Sequence, residues 1–270
     1  MKLVLVTFSG LLPLLYLGLL LDYGATFLLQ SRIQGRSPWL WGVVGLHGSY
    51  LAAQIIYLDH PPLQGGAGLV GLLAFCTALV YLFVELATGE RRTGAFMMVP
   101  IFLFQYVATL LSAAQVGTSA PQPGWLGLHV PLALLAFVAL TVSAVYAALH
   151  LALRRNLKRH YVGVFFDRLP SMDLLSTMSW YSLVLGFCFL TLALVSGAVY
   201  FEPAAGARAL FTGDLRLAAK VAAGVVAWLI YLSTVVGRLA GSWSSGRISR
   251  FSLTGFCAVV VVLGLSAVFP

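Results

Sequence analysis

Charge is scarce in this 270-residue chain: Asp, Glu, Lys and Arg make up 9 %, as 8 acidic and 16 basic residues. An average soluble domain carries about 25 %, so material for a solvated surface is lacking. Cysteine is scarcer still. Cys76, Cys188 and Cys257 are the only three, form no CxxC, and sit inside apolar stretches. A reactive dithiol is thereby excluded, and buried thiols acting as small apolar residues are expected. Walker A, HExxH and a GxSxG with supporting partners are all absent, which leaves P-loop phosphoryl transfer, zinc proteolysis and serine hydrolysis without a motif. Fixed-period repeats, low-complexity tails and any soluble basic domain are also missing, so the formal charge of +8 does not signal nucleic-acid binding. The longest connection, about residues 154–173, is too short to fold alone.

Hydrocarbon fills the chain instead. Hydrophobic residues make up 60 %, and the mean hydropathy is +0.96. They fall in eight runs, roughly 3–29, 39–58, 67–87, 94–116, 125–153, 174–201, 215–237 and 250–268. About 20 apolar residues cross a bilayer as a helix, and open strands or loops cannot satisfy their backbone groups in lipid. No run alternates with a β period, so the predicted fold class is all-α. The expected architecture is a polytopic bundle of eight transmembrane helices, one domain over residues 1–270. Gly35-Arg36-Ser37-Pro38, Pro61-Pro62, Gly89-Glu90-Arg91-Arg92, Pro121-Gln122-Pro123-Gly124 and Gly241-Ser242-Trp243 punctuate it. The first run is longer than a signal-peptide core and shows no clear cleavage site, so it is expected to be a retained helix.

Orientation follows from the basic residues. Connections 1–2, 3–4, 5–6 and 7–8 hold 12 of the 16 Lys and Arg, among them Arg91, Arg154, Arg168 and Arg250; the other side has Lys2, Arg208, Arg216 and Lys220. The positive-inside rule then puts those four connections in the cytoplasm and both termini outside. A multi-pass protein of the cell inner (cytoplasmic) membrane is expected, with the lipid bilayer as its first partner.

Within such a chain the intramembrane polar residues are where function is sought. His47 lies about eight residues, ~12 Å, into the second run. It is either a hydrogen-bonded packing residue beside Gly45, Gly48 and Ala52, or a ligand. His60, after Asp59 and before Pro61-Pro62, is either a solvated interfacial residue or a ligand at the outer mouth. His129 stands ~6 Å inside the outer end of the fifth run, below the interfacial Trp125, at a depth similar to that of His60. Two neutral imidazoles across a porphyrin give bis-histidine iron ligation; zinc is less natural, since no nearby Cys or second carboxylate completes a tetrahedral set. His150 falls near Arg154 at the inner end of the same run, and His160 is expected in solvent. Asp22 and Glu85 are expected to snorkel or pair with loop arginines, and Gln54 and Gln105 to hydrogen-bond between helices.

One segment carries more specific information. Leu128-His129-Val130-Pro131-Leu132 opens a long run that ends in basic residues, and Arg168-Leu169-Pro170-Ser171-Met172-Asp173-Leu174-Leu175 leads into the sixth. Leu185-Gly186-Phe187, Leu190-Thr191-Leu192 and Ser196-Gly197-Ala198 follow, then Lys220 and Ala227-Trp228-Leu229-Ile230-Tyr231. In order and spacing these resemble the cytochrome c-type biogenesis CcsA/ResC/CcmC family, most clearly over 125–235, and His47 matches a histidine often found in that family's second helix. Two departures point to the short HemX-like branch. The connection from Glu202 to Asp214 contains no Trp, whereas the haem-presenting members carry a tryptophan-rich WWD segment there. Ala219 and Ser233 stand where relatives carry histidines.

The resemblance implies a haem-binding, haem-handling membrane protein that supports cytochrome c assembly by delivering or translocating haem. His47 would serve an inner site and His129 an outer one, with His60 as the second outer ligand, and Lys220, Arg208 and Arg216 would face the propionates. Haem and other cytochrome c maturation proteins are the implied partners. The alternative is a haem-free regulatory or scaffold subunit whose basic 154–173 connection acts on a cytoplasmic partner such as a tetrapyrrole-synthesis enzyme. A proton-coupled transporter is disfavoured, because few charged residues line any run. No residue demands bond-making chemistry, so a stand-alone enzyme is not expected.

Overall fold

A computed structural model describes residues 2–29, 37–58, 65–89, 91–114, 126–160, 163, 167–200 and 215–268. Eight long helices account for nearly all of them: α1 (Lys2–Leu29), α2 (Pro38–Leu58), α3 (Gly66–Thr88), α4 (Gly94–Ala113), α5 (Leu126–Lys158), α6 (Met172–Tyr200), α7 (Leu215–Leu239) and α8 (Ser245–Val268). No strand occurs among the described residues. Seven of the helices are long and apolar enough to cross a membrane. The eighth, α2, has 21 residues, and its Trp, Gly, His and Gln content keeps it less apolar. The protein is therefore a multi-pass helical membrane protein.

Helix ends follow local chemistry. Gly89, in the left-handed region at φ 68°, closes α3 by donating its N–H to the Glu85 carbonyl, a conformation that glycine adopts without Cβ strain. Gly241, also at φ 68°, makes the turn from α7 to α8. Pro38 opens α2 at its first position, where no intrahelical N–H is needed. At α6, the Leu175 N–H donates to the Ser171 carbonyl and the Leu174 N–H to its hydroxyl, a serine cap with Asp173 in the first turn. Two helices outrun the apolar runs. α5 continues past Leu153 to Lys158 and α8 begins at Ser245 rather than near 250, because basic and small polar residues extend a helix into the headgroup region at no desolvation cost.

The helices cluster in two compact units. In the first, α1 packs on α2 and α4, and α3 on α2 and α4, a ring of four. Its centre is aromatic and thioether-rich: Tyr16, Tyr23, Tyr81, Met97, Met98 and Ile101 are fully buried. Gly94 is required there, because the Tyr23 ring and the Tyr81 hydroxyl occupy the space that any side chain would take.

The second unit is another ring. α5 packs most extensively on α6 and also on α8, while α7 packs on α6 and α8. Ala136, Leu140, Leu183, Leu190, Ala227, Tyr231 and Val259 form its core. Gly186 lets Leu140 in, since a Cβ there would lie 2.6 Å from Leu140 Cδ2. Phe187 stacks on Trp228 at 5.9 Å, and the Trp228 indole N–H donates to Thr191 Oγ1 at 2.9 Å. A buried hydroxyl cluster ties three helices. The Ser143 hydroxyl donates to the Ser179 carbonyl at 2.8 Å, Ser179 returns a bond to the Ser143 carbonyl at 3.1 Å, and Ser252 lies 3.0 Å from Ser143 Oγ. Having already donated its proton, Ser143 Oγ accepts from Ser252.

Outward faces are as apolar as the core: Leu14, Phe83, Val199 and Leu229 are all exposed, as lipid-facing residues are. This corrects the cysteine expectation. Cys188 and Cys257 are exposed and only Cys76 is half-buried, because a membrane helix can place a small apolar thiol toward lipid as readily as inward.

Candidate functional site

Among the described residues, His47, His129 and His150 are each held by their own partner. His47, in α2, is 1 % exposed. Its Nδ1 lies 2.9 Å from the Tyr16 hydroxyl of α1, and its ring meets Phe75 of α3 edge-on at 5.3 Å. A mid-helix imidazole thus faces the interior of the first unit, as the cost of turning it to lipid requires. Of the small neighbours expected to admit close packing, only Gly48 does so, since a Cβ there would lie 3.4 Å from Phe75; a Cβ on Gly45 would meet nothing within 4 Å, and Ala52 is exposed.

His129 lies in the first turn of α5 and is half-buried. Its Nδ1 is 2.8 Å from the Ala193 carbonyl of α6. A carbonyl can only accept, so Nδ1 carries the proton and the neutral ring keeps its lone pair on Nε2. The ring also rests on Gly197, where a Cβ would stand 3.1 Å from both Cε1 and Nδ1. Glycine there is therefore a matter of close approach. An imidazole with one N–H anchored to a backbone carbonyl and the other nitrogen basic is the arrangement in which proteins present histidine to a metal.

His150, 2 % exposed, is engaged through Nδ1 by the Ser249 hydroxyl of α8 at 2.9 Å. His160 is exposed just past the end of α5, as expected. Lys220 is half-buried in α7, and Arg216 belongs to the first turn of that helix. His60 and Arg208 lie outside the described residues. No group of three or more His, Cys, Asp or Glu that could hold a metal ion occurs among the described residues.

One cluster was only half legible in sequence. Asp22 pairs with Arg91 at 2.8 Å, as expected. Glu85 behaves differently: 1 % exposed, it accepts the Tyr23 hydroxyl and, at 2.6 Å, the backbone N–H of Ser37. The Tyr23 ring in turn carries the Arg91 guanidinium 4.5 Å above its centre. This buried carboxylate fixes the start of α2 to the ends of α1 and α3. Nearby, the Arg168 guanidinium donates to the Phe27 carbonyl, supplying the cation that the last turn of α1 lacks. The two glutamines also depart from expectation. Gln54 donates to Tyr50 at 2.7 Å and Gln105 reaches Thr109 at 3.5 Å, each within its own helix, because a partner at i±4 is always in reach.

Eight long helices, seven of them long and apolar enough to cross a membrane, define a polytopic helical membrane protein in which His47, His129 and His150 are each held by a partner on another helix. A model of the cytochrome C assembly protein family matches residues 64–268, and the chain belongs to that family, which places it in cytochrome c biogenesis. It is similar to the cytochrome c biogenesis protein CcsA of Heterosigma akashiwo, 26 % identical over 224 residues, 69 % of this chain and 68 % of the relative. It is likewise similar to CcsA of Chlorella vulgaris, 23 % identical over 279 residues, 88 % of this chain and 87 % of the relative. CcsA of Prochlorococcus marinus is 28 % identical over 161 residues, 53 % of this chain and 50 % of the relative. No solved structure matches. The family match takes in His129, Ala193, Gly197 and Lys220, while Tyr16 and His47 precede it.

Proposed function

We propose that this protein binds haem in the membrane and hands it on for cytochrome c assembly, with His129 Nε2 as an axial iron ligand. The observation that supports the reading is the 2.8 Å bond from His129 Nδ1–H to the Ala193 carbonyl: it fixes the tautomer and leaves the basic nitrogen that haem iron takes. His60 is the proposed second ligand at the outer face, and Lys220, Arg208 and Arg216 are the proposed partners of the propionates. His47, oriented by Tyr16, is the proposed ligand of an inner site, with Nδ1–H donating to the Tyr16 oxygen so that Nε2 is free. Haem here is cargo; the residues hold, orient and release it.

Both termini lie outside the cytoplasmic membrane in this reading, and residues 1–270 act as one haem-handling domain. The connection of residues 202–214 has no tryptophan, hence no indole platform for presenting haem, so the chain delivers or translocates haem without attaching it, as the HemX-like branch would.

The test is the absorption spectrum of purified protein, oxidised and dithionite-reduced. A Soret band with sharp reduced α and β bands is expected. His129→Ala should lose or shift it at nearly unchanged abundance, and His47→Gly should lower haem content and recover with added imidazole. Wild-type protein without haem, or His129→Ala with a wild-type spectrum and normal cytochrome c maturation, refutes the outer site. A haem-free wild type would favour the scaffold reading, for which Arg155, Lys158 and Arg159, exposed at the end of α5, form the available surface.

A further inference from the structure

Three arginines converge on the first turn of α8. The Arg154 guanidinium, from α5, lies where a side chain on the buried Gly246 would be. Arg250 sends its Nε–H to the Gly246 carbonyl at 3.3 Å. Arg247 lies over the Trp243 ring, 5.6 Å from its centre, and that indole is itself fixed, packed flat on Gly237 of α7 and 4.5 Å from Phe251. Among the described residues none of the three makes an ion pair. Like charges held without ion pairs repel one another, and holding them by ring stacking and a glycine notch removes the rotamer freedom that a ligand would otherwise have to freeze.

The apolar flank says what kind of anion fits. Leu239 is 75 % exposed and Leu157 41 %, beside the same helix ends, and Trp243 is an indole of the type that marks the membrane–water boundary. A soluble phosphate has no use for that flank, whereas a lipid places acyl chains along it and its phosphate among the guanidiniums.

We infer that Arg154, Arg247 and Arg250, arranged around Gly246 at the start of α8, bind the phosphate of an anionic phospholipid headgroup. The site lies wholly in the second unit and makes no use of the haem reading, so either can fail without the other.

Native mass spectrometry of the full chain in detergent, titrated with phosphatidylglycerol or phosphatidylcholine of identical acyl chains, tests it. A preference for phosphatidylglycerol of roughly 5-fold per engaged arginine is expected, and R154Q, R247Q and R250Q combined should abolish it. Gly246→Ala keeps every charge yet displaces the Arg154 guanidinium, and it should weaken the preference; should that variant misfold, Arg154→Gln alone serves. Arg155→Gln with Arg159→Gln removes nearby charge outside the cluster and should change nothing. Equal binding of the two lipids by the wild type, an equal loss in the Arg155/Arg159 control, or release of phosphatidylglycerol by millimolar inorganic phosphate each overturns the lipid site.

Discussion

Replacing Gly197 with alanine perturbs His129 without touching it chemically. The added Cβ would lie 3.1 Å from the imidazole Cε1 and Nδ1, whereas carbon contacts settle at about 3.5–4.0 Å. The ring must therefore retreat by roughly 0.4 Å or more, which takes the 2.8 Å bond to Ala193 to about 3.2 Å, the long end of the normal range. A neutral hydrogen bond of this kind is worth about 0.5–1.5 kcal/mol net, equivalent to roughly 2- to 12-fold in an equilibrium constant. Two measurements read this. In haem-free protein labelled with ¹⁵N-histidine, NMR should show the His129 tautomer shifting from nearly all Nδ1–H toward a mixture. In a haem titration followed by absorbance, affinity should fall by the same 2- to 12-fold, and Gly197→Val should fall further. Unchanged tautomer populations together with unchanged haem affinity would refute the carbonyl-anchored imidazole; a tautomer shift with no change in haem affinity would keep the geometry and remove its link to haem.

Tyr16→Phe should lower haem occupancy of the inner site by about 10- to 100-fold if His47 is a ligand while leaving abundance nearly intact; a fully wild-type His47→Gln together with an inert Tyr16→Phe would make His47 a packing residue. Glu85→Ala leaves the buried Ser37 N–H and Tyr23 hydroxyl without their acceptor, so the unfolding midpoint in mixed detergent–SDS micelles should fall by an amount worth about 1–3 kcal/mol per orphaned group; Glu85→Gln, which still accepts, should cost less, and equal midpoints would show the cluster to be energetically idle. A cysteine replacing His160 should be labelled only from the cytoplasm, and labelling from outside would reverse the proposed orientation.

Helix number, helix ends and the burial of His47 were legible in the sequence for one reason: the bilayer gives a residue few choices. An apolar run of about 20 residues must be helical there, and a histidine ~12 Å deep must turn inward. Gly89, in one of the punctuating clusters, closes α3 in the left-handed region, which glycine adopts without Cβ strain. The residues quoted for the family resemblance also proved to be mutual packing partners: Gly186 admits Leu140, Phe187 stacks on Trp228, and Trp228 bonds Thr191.

Partners across helices were not legible. Helices apolar on every side carry no stripe that tells inside from outside, so nothing in the sequence set the rotation that leaves Cys188 and Cys257 exposed and points Tyr16 to His47. Tyr16 meets His47 across 31 positions and His129 meets Ala193 across 64, and the second meeting depends on Gly197, which lets the imidazole close on α6. Gly197 stood in the sequence as part of the Ser196-Gly197-Ala198 segment, with nothing there to say that it faces His129. The sequence by itself determined how many long helices this chain forms and which polar residues are costly to turn to lipid. Only the tertiary structure decided which carbonyl, hydroxyl or ring each of them meets, because those bonds require helix faces from distant segments to come within 3 Å of one another.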